Sequence, residues 1–512
     1  MNTPKVYDFP LERVEGQLVS FLRKRGNQST VADMIAGTGL PKYQVEQTVK
    51  AVLDEYSGRL KVTESGEILY SFPTGMRSTK KGFGPAIKRF WSAFKRGAAR
   101  ILSFLFKIWI VVMLVGYFLL FLALMILAIV ASFAASAAGG KDRNARSRRG
   151  GDGFGAMYLV SRLFNLAFRM WFYSNMFSGG RNARRMKPDG RAFYKSVFGY
   201  VFGEGEPNPG FETAERTRVA EYIRSKRGAI LLEELMALTG KEEAEAHSLI
   251  NRYMLEFEGD PRVTDNGTIV YAFPELLRTT EDQQKAFTAA SLDNPLLKKT
   301  APFSANKPRT NGWISFFNLF NLAFGSFFLL FPFTPGMSAV LAGGPASTRV
   351  PADALTYFYS IVFNLLVRLG ADNPEGILTF ALGFIPVAFS ALFFLIPMLR
   401  SLKLKRENEK IRRENLIKHV VAQILAHPGH VDPRILQIGG ADSSPRKPEA
   451  ERARIVKKLA AFKTAEPVQL ADGSFAYAFS ELEREIADLE DYRGKVDLKS
   501  YEVGKTVFDT GQ

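Results

Sequence analysis

Four histidines (His247, His419, His427 and His430) and no cysteine set the limits of the chemistry this chain can perform. Without sulfur there is no thiolate nucleophile, disulfide, Cys-ligated zinc or self-ligated iron–sulfur cluster. His427 and His430, in HPGHVDP with Asp432, have the residue types of a metal site. Pro428 lies between them and breaks the helical face on which such ligands converge, so the run reads as a loop after a helix and no metal is expected. Gly150–Gly155, GGDGFG, lacks the lysine and the strand-to-helix setting of a phosphate loop and reads as linker. With so few histidines no nucleophile–base–acid constellation emerges; the expectation is no catalytic residue, no cofactor and no enzyme.

The basic residues carry more information. Between Thr74 and Tyr200 there are 22 Lys or Arg against the three acids Asp142, Asp152 and Asp189, while the rest of the chain holds 46 basic and 48 acidic residues. The formal charge of +17 is therefore local to the flanks of one apolar block. Lys88, Arg89, Lys95, Arg96 and Arg100 precede that block and Arg146, Arg148 and Arg149 follow it. Such residues mark a cytoplasmic flank and attract anionic headgroups by roughly 1 kcal/mol each. They are the candidate lipid-facing set; a nucleic-acid patch is the competing reading.

Two apolar blocks need those flanks. Ile101–Ala138 has Lys107 as its only charge and far exceeds the roughly 20 residues of one crossing. The chain before it lacks a signal-peptide core, so the block is expected in the mature protein. It reads as a helical hairpin or one long span, and a hairpin keeps both basic flanks on one side. The second block, 313–399, contains long runs at Trp313–Phe333 and Gly376–Leu399 around a short one that ends near Arg368. Lys107 in the first block and Arg368 in the second are the notable charges, both near segment ends, and no paired-charge transport path is visible. LFNLAF occurs at Leu163–Phe168 and again at Leu319–Phe324; the first copy, between Arg162 and Arg169, reads as an interfacial amphipathic helix.

Outside the blocks the sequence repeats itself. Leu40–Pro73 aligns without gaps on Lys241–Pro274, an offset of 201, with Gly58, Val62, Thr63, Gly66, Ile68, Tyr70, Phe72 and Pro73 recurring. Each copy has a helix with a basic end, a short helix closing on Thr-Gly, a third helix, and two alternating runs about a Ser-Gly or Asn-Gly turn. The third helix places Val45, Val49, Val52, Leu53 and Tyr56, or Ala246, Ile250, Tyr253, Met254 and Phe257, on one core-facing stripe. This is a winged-helix-like pattern, and a diverged third copy is expected after Asn415. Met1–Pro73 has nine basic and nine acidic residues and Ala214–Pro274 has eight and eleven, which is not the footprint of phosphate binding. The outward residues Lys42, Gln44 and Glu46 of the first copy become Glu243, Glu245 and His247 in the second. These three form the candidate partner-binding face, and a basic protein surface suits it, the chain's own Arg181–Arg191 included.

Val197, Phe198, Phe202, Gly203, Gly205, Pro207 and Asn208 make a VF-x-x-x-FG-x-G-x-PN motif, and Ile269–Leu276 spells IVYAFPEL. Over Phe193–Leu277 the chain resembles a family of poorly characterised membrane proteins of cyanobacteria and plastid envelopes. The resemblance implies a membrane protein and brings no catalytic residues. Plant members carry an iron–sulfur assembly label, and a chain without cysteine is no thiolate scaffold.

The fold class expected is mainly α and integral to a membrane, with two transmembrane blocks and three winged-helix-like α+β modules. The modules fall at 1–73, 201–277 and, with a basic lead-in helix, 400–484. Basic juxtamembrane sequence covers 74–100, the first block 101–138, a basic linker with the interfacial helix 139–200, a linker 278–312, the second block 313–399 and a tail 485–512. The function expected is a scaffold or regulatory adaptor of a cell inner membrane with its modules cytoplasmic; a membrane-anchored DNA-binding regulator and a small transporter are the alternatives. Its partners are anionic membrane lipids and a protein, with a second copy of the chain admitted and nucleic acid disfavoured.

Overall fold

The computed structural model describes residues 9–25, 28–73, 76, 83–138, 191–279, 291–333, 354–504 and 506–510. In chain order the first helices are α1 (Leu11–Arg25), α2 (Val31–Thr38), α3 (Lys42–Glu55), α4 (Phe83–Val111), α5 (Tyr117–Ala138), α6 (Phe193–Phe202) and α7 (Phe211–Ser225). They are followed by α8 (Leu232–Thr239), α9 (Glu243–Phe257), α10 (Pro308–Leu330), α11 (Ala354–Arg368), α12 (Ile385–Ala426), α13 (Pro448–Phe462) and α14 (Ser480–Lys495). The chain divides into two compact units, one of Met1–Lys88, Glu206–Ala301 and Lys405–Gln512, the other of Arg89–Gly205 and Pro302–Leu404.

Among the described residues, the strands lie in the first unit. β1 (Gln28–Ser29), β2 (Arg59–Thr63) and β3 (Ile68–Ser71) form one antiparallel sheet with β9 (Thr506–Asp509), in the order β1-β3-β2-β9. β4 (Ala229–Ile230), β5 (Asp260–Val263) and β6 (Ile269–Ala272) form a second in the order β4-β6-β5, and β7 (Glu466–Gln469) pairs with β8 (Phe475–Ala478). The bounds of the first two segments are displaced by 200 to 202 residues, against the 201 that separate their sequences. Val45, Val49 and Val52 on α3, and Ala246, Ile250, Tyr253 and Phe257 on α9, are buried in one shared core. Leu53, Tyr56 and Met254 pack against that core partly exposed. Each such aliphatic or aromatic side chain contributes about 1.5–3 kcal/mol.

Local signals set the ends of these elements. Thr30 and Asp33 form a capping box at α2, Thr30 Oγ1 accepting from Asp33 N at 3.0 Å and Asp33 Oδ2 accepting from Thr30 N at 3.1 Å. Hairpin turns place Gly66, Gly267 and Gly473 at φ +78°, +89° and +80°. Ser57, Glu258 and Thr464, between each third helix and its hairpin, all have φ near +50°.

The third segment departs from the first two. Leu416, Ile417, Val420, Val421 and Ile424 of α12 enter the shared core, but no short α-helix follows them, only a 3-10 turn at Ala441–Ser443. Pro428, Gly429, Pro433, Gly439 and Gly440 make that stretch a poor helix former. A single bridge, Val431 to Tyr477, replaces the paired strand there. Residues 485–512, expected as a tail, instead complete α14 and add β9 to the first sheet. Ser480 opens α14, and the acids Glu481 and Glu483 in its first turn favour that end.

In the second unit, 101–138 contains no hairpin. α4, a π-helical stretch at Val112–Gly116 and α5 run on without a break, because nothing between Ile101 and Ala138 is a proline, a turn pair or a polar cluster. Asn321 Nδ2 donates to the Leu114 carbonyl at 2.7 Å inside the π stretch, and Asn318 Nδ2 donates to the Ser390 carbonyl at 3.0 Å. Both asparagines are fully buried, and such bonds satisfy backbone groups that the helix leaves over. Lys107 Nζ sits 4.4 Å over the Phe198 ring, and Arg368 is exposed at the end of α11. Among the described residues, Gly97–Ala131, Pro308–Phe333 and Pro374–Ala426 are long and apolar enough to cross a membrane, by length and composition.

Candidate interaction site

Glu243, Glu245 and His247 lie on the first turns of α9, opposite the buried Ala246 and Ile250, and all three are exposed. Glu245 pairs with Lys241 of its own turn at 3.1 Å. The chain's own α13 covers the rim of this face: Lys458 Nζ donates to Glu242 Oε2 at 2.6 Å, and the His247 ring meets Phe462 edge-on at 6.2 Å. In the first segment the matching position, Lys42, donates to Glu258 at 2.6 Å and to Glu275 at 3.4 Å. Burial works against its charge, but the Glu258 hydrogen bond and both acids hold the Lys42 pKa above its ordinary value. Residues Arg181–Gly190, named above with Arg191 as a partner for the α9 face, lie outside the described residues, and Arg191 pairs with Glu204 at 2.6 Å. Lys95 and Arg100 are exposed on α4. The side chains of Lys88, Arg89 and Arg96, the residues Arg146, Arg148 and Arg149, the Gly150–Gly155 run and the first LFNLAF copy also lie outside the described residues.

Three locks that the sequence reading missed join the segments of the first unit. Asp33, fully buried, accepts from Arg224 Nη2 at 2.8 Å and from Thr279 Oγ1 at 2.6 Å. At the corresponding place on α8, Glu234 accepts from Arg493 Nη2 at 2.7 and 3.0 Å and from the Tyr222 hydroxyl at 2.5 Å. Burial first, and the Glu234 charge second, push the Tyr222 pKa far up, so its hydroxyl stays a donor. Gly39 and Gly240, which end α2 and α8 at φ +67° and +69°, make the second lock. A Cβ on Gly39 would meet Arg216 Cβ and Thr217 N of α7 at 2.8 Å, and one on Gly240 would meet the Glu414 carbonyl of α12 at 2.1 Å. Each short helix thus ends hard against the opening helix of the next segment.

The third lock is a clamp on the extended stretch 296–301. Asn208, Asn415 and Asn408 each take both backbone groups of one residue, Lys299, Lys298 and Ala301 respectively, at 2.7–3.1 Å. Glu414 accepts from Lys241 at 2.7 Å and Lys298 at 2.8 Å, and although burial opposes it, these bonds hold its pKa below the ordinary value. Lys418, fully buried, donates to Glu215 at 2.9 Å and to the Leu296 carbonyl at 2.8 Å. Asn208 closes the VF-x-x-x-FG-x-G-x-PN motif, so part of that motif serves the clamp. In the second unit Gly203 of the same motif, at φ +88°, lets Arg400 reach the Tyr200 and Val201 carbonyls that end α6.

Beside the Glu234–Arg493 lock lies a cavity of about 450 Å³, walled by Tyr222, Leu231, Leu292, Leu425, Ile486 and Arg493. Asp432, weighed above as a metal ligand, is engaged by Arg434 at 2.8 Å. The locks escape a reading of one sequence because they join residues some 90 to 260 positions apart. Their one visible signal is the acid three residues after the N-cap in both short helices, which reads as a capping residue alone.

No family model matches this chain, and no solved structure matches it. It is 25% identical, over 414 residues, to an uncharacterised chloroplastic protein of Arabidopsis thaliana, a stretch covering 79% of this chain and 71% of that protein.

Proposed function

We propose that the chain is a membrane-anchored scaffold or regulatory adaptor, in which three winged-helix-like modules are joined head to tail on one side of the membrane and present protein-binding faces. The observation that carries this reading is the shared hydrophobic core of Met1–Lys88, Glu206–Ala301 and Lys405–Gln512. Three stretches that share one core belong to one compartment, so the chain between them returns each time to the side it left. α10 and the run from Pro374 make such an out-and-back pair. α11, 15 residues long and about 22 Å at 1.5 Å per residue, falls short of a span. Basic flanks favour the cytoplasmic side of a cell inner membrane for the modules.

The topology is testable because the native chain has no cysteine. Single cysteines at the exposed positions Glu12, Glu243 and Arg484, one per module, should all resist an impermeant maleimide in sealed cells and all react after lysis. Labelling of one site alone from outside would refute the shared compartment.

Protein contact is favoured over DNA because the residues a groove-reading helix would present are already engaged: Lys42 by two acids, Glu242 and His247 by α13. Glu243 and Glu245 remain exposed to a basic partner surface. Their reversal to lysine should weaken crosslinking of that partner several-fold, and salt should mimic the loss, since exposed pairs at about 0–1 kcal/mol each are screened. A reversed chain that keeps its partners and gains duplex affinity counts against the adaptor reading at this face.

A further inference from the structure

The first strands of the three hairpins differ at the position opposite a tyrosine they share. Leu60, Pro261 and Pro467 stand opposite Tyr70, Tyr271 and Tyr477. The hairpins close alike, Thr63 N donating to Glu67 O, Thr264 N to Thr268 O and Leu470 N to Ser474 O. Antiparallel bonding alternates along a strand, so the residue three before each of these donors turns its backbone groups to the open edge. At that point β5 and β7 present a proline, which has no N–H, and such prolines keep other strands off. β2 presents Leu60 and is unguarded.

β2 is also the edge that is occupied. β9 lies along it with Asp509 opposite Lys61 and Phe508 opposite Val62. Thr510 N donates to the Leu60 carbonyl at 3.0 Å, Leu60 N donates to Thr510 Oγ1 at 3.0 Å, and Lys61 Nζ is 3.5 Å from Asp509 Oδ2. The strand is lightly held: Val507 and Phe508 are 68% and 59% exposed, and the register shifts between Val62 and Thr63.

We propose that the outer edge of β2 is a strand-docking site for an extended peptide with an aromatic–acid–hydroxyl run, and that Phe508-Asp509-Thr510 is the copy the chain carries in itself. Backbone bonds to Leu60 and Val62 supply affinity, and the carboxylate opposite Lys61 fixes direction and register. A partner bearing such a run exchanges with β9. Neither the membrane topology nor the adaptor reading enters this inference.

The full chain serves for the test, with a fluorescent peptide of Val503–Gln512 followed by anisotropy. Asp509→Lys should loosen β9, so that this chain binds the peptide one to one and at least tenfold tighter than the unaltered chain does. Adding Leu60→Pro should remove that gain while the circular dichroism stays that of the folded chain, because proline already stands at this position in both other hairpins; the thermal midpoint falls modestly, since Leu60 also packs against the core. Lys61→Glu should reverse the preference: that chain takes a peptide with lysine in place of Asp509 and refuses the native one. Equal binding to unaltered, Asp509→Lys and Leu60→Pro chains would overturn the proposal. So would a concentration-dependent dimer of the unaltered chain that Leu60→Pro abolishes while no peptide binds, since the edge would then serve exchange between copies.

Discussion

Arg493→Leu is expected to destabilise the first unit by about 3–5 kcal/mol, the usual cost of stranding one member of a buried ion pair. Glu234 is 6% exposed and takes two of its four side-chain bonds from that guanidinium, which also donates to the Ala229 carbonyl at 2.7 Å. Leucine fills much of the same space, so the loss comes from taking the guanidinium donors and the countercharge from a buried carboxylate and a carbonyl rather than from a void. The thermal midpoint should fall by roughly 10 °C. Adding Glu234→Gln should recover part of the loss, because the amide carries no charge to strand and can still accept from Tyr222. A midpoint within a degree or two of the unaltered protein would show that the lock adds nothing. The pair Asp33–Arg224 offers the same test between the first and second segments.

Gly240→Ala should be worse than its chemistry suggests. The residue sits at φ +69°, where a side chain alone costs about 1–2 kcal/mol, and its Cβ would come within 2.1 Å of a backbone carbonyl on α12. That carbonyl cannot withdraw without dragging the buried Leu416 and Ile417 out of the core. The expected loss exceeds about 4 kcal/mol, in the range reserved for overpacking at a fixed backbone. Gly66→Ala is the control: its φ is +78° but nothing lies within 4 Å, so only the conformational cost remains. Limited proteolysis should open the stretch after Lys405 in Gly240→Ala and leave it closed in Gly66→Ala. Equal effects of the two substitutions would mean that α8 and α12 do not meet as described.

How far the sequence carries depends on the range of the interaction concerned. Helix and hairpin positions in the first two soluble segments were legible because apolar spacing, Thr-Gly closures and Gly turns act over a few residues. Core positions followed from the same stripes, Val45 and Ile250 among them. The continuity of 101–138 was not legible, since the hairpin was inferred from charge on both flanks, whereas nothing within the run breaks a helix. α14 and β9 were missed for another reason. Their apolar residues are few, and α14 is held by Arg493 on Glu234 and by Thr268 and Asn266 on Asp488, contacts more than 200 positions away. The candidate face was found by comparing copies, yet its covering by Lys458 and Phe462 depended on where the third segment packs.

The prolines of β5 and β7 also bear on the chain while it is being made. Leu60 and Thr510 are 450 residues apart, so at about 5–20 residues per second the ribosome needs roughly 20–90 s to supply the strand that covers β2. During that interval β2 has a bare edge. β5 and β7 emerge already protected, and need no cover at all. The first sheet is thus the point in biogenesis at which two ribosomes on one message could join their products by mistake, and where a holding chaperone would do most good.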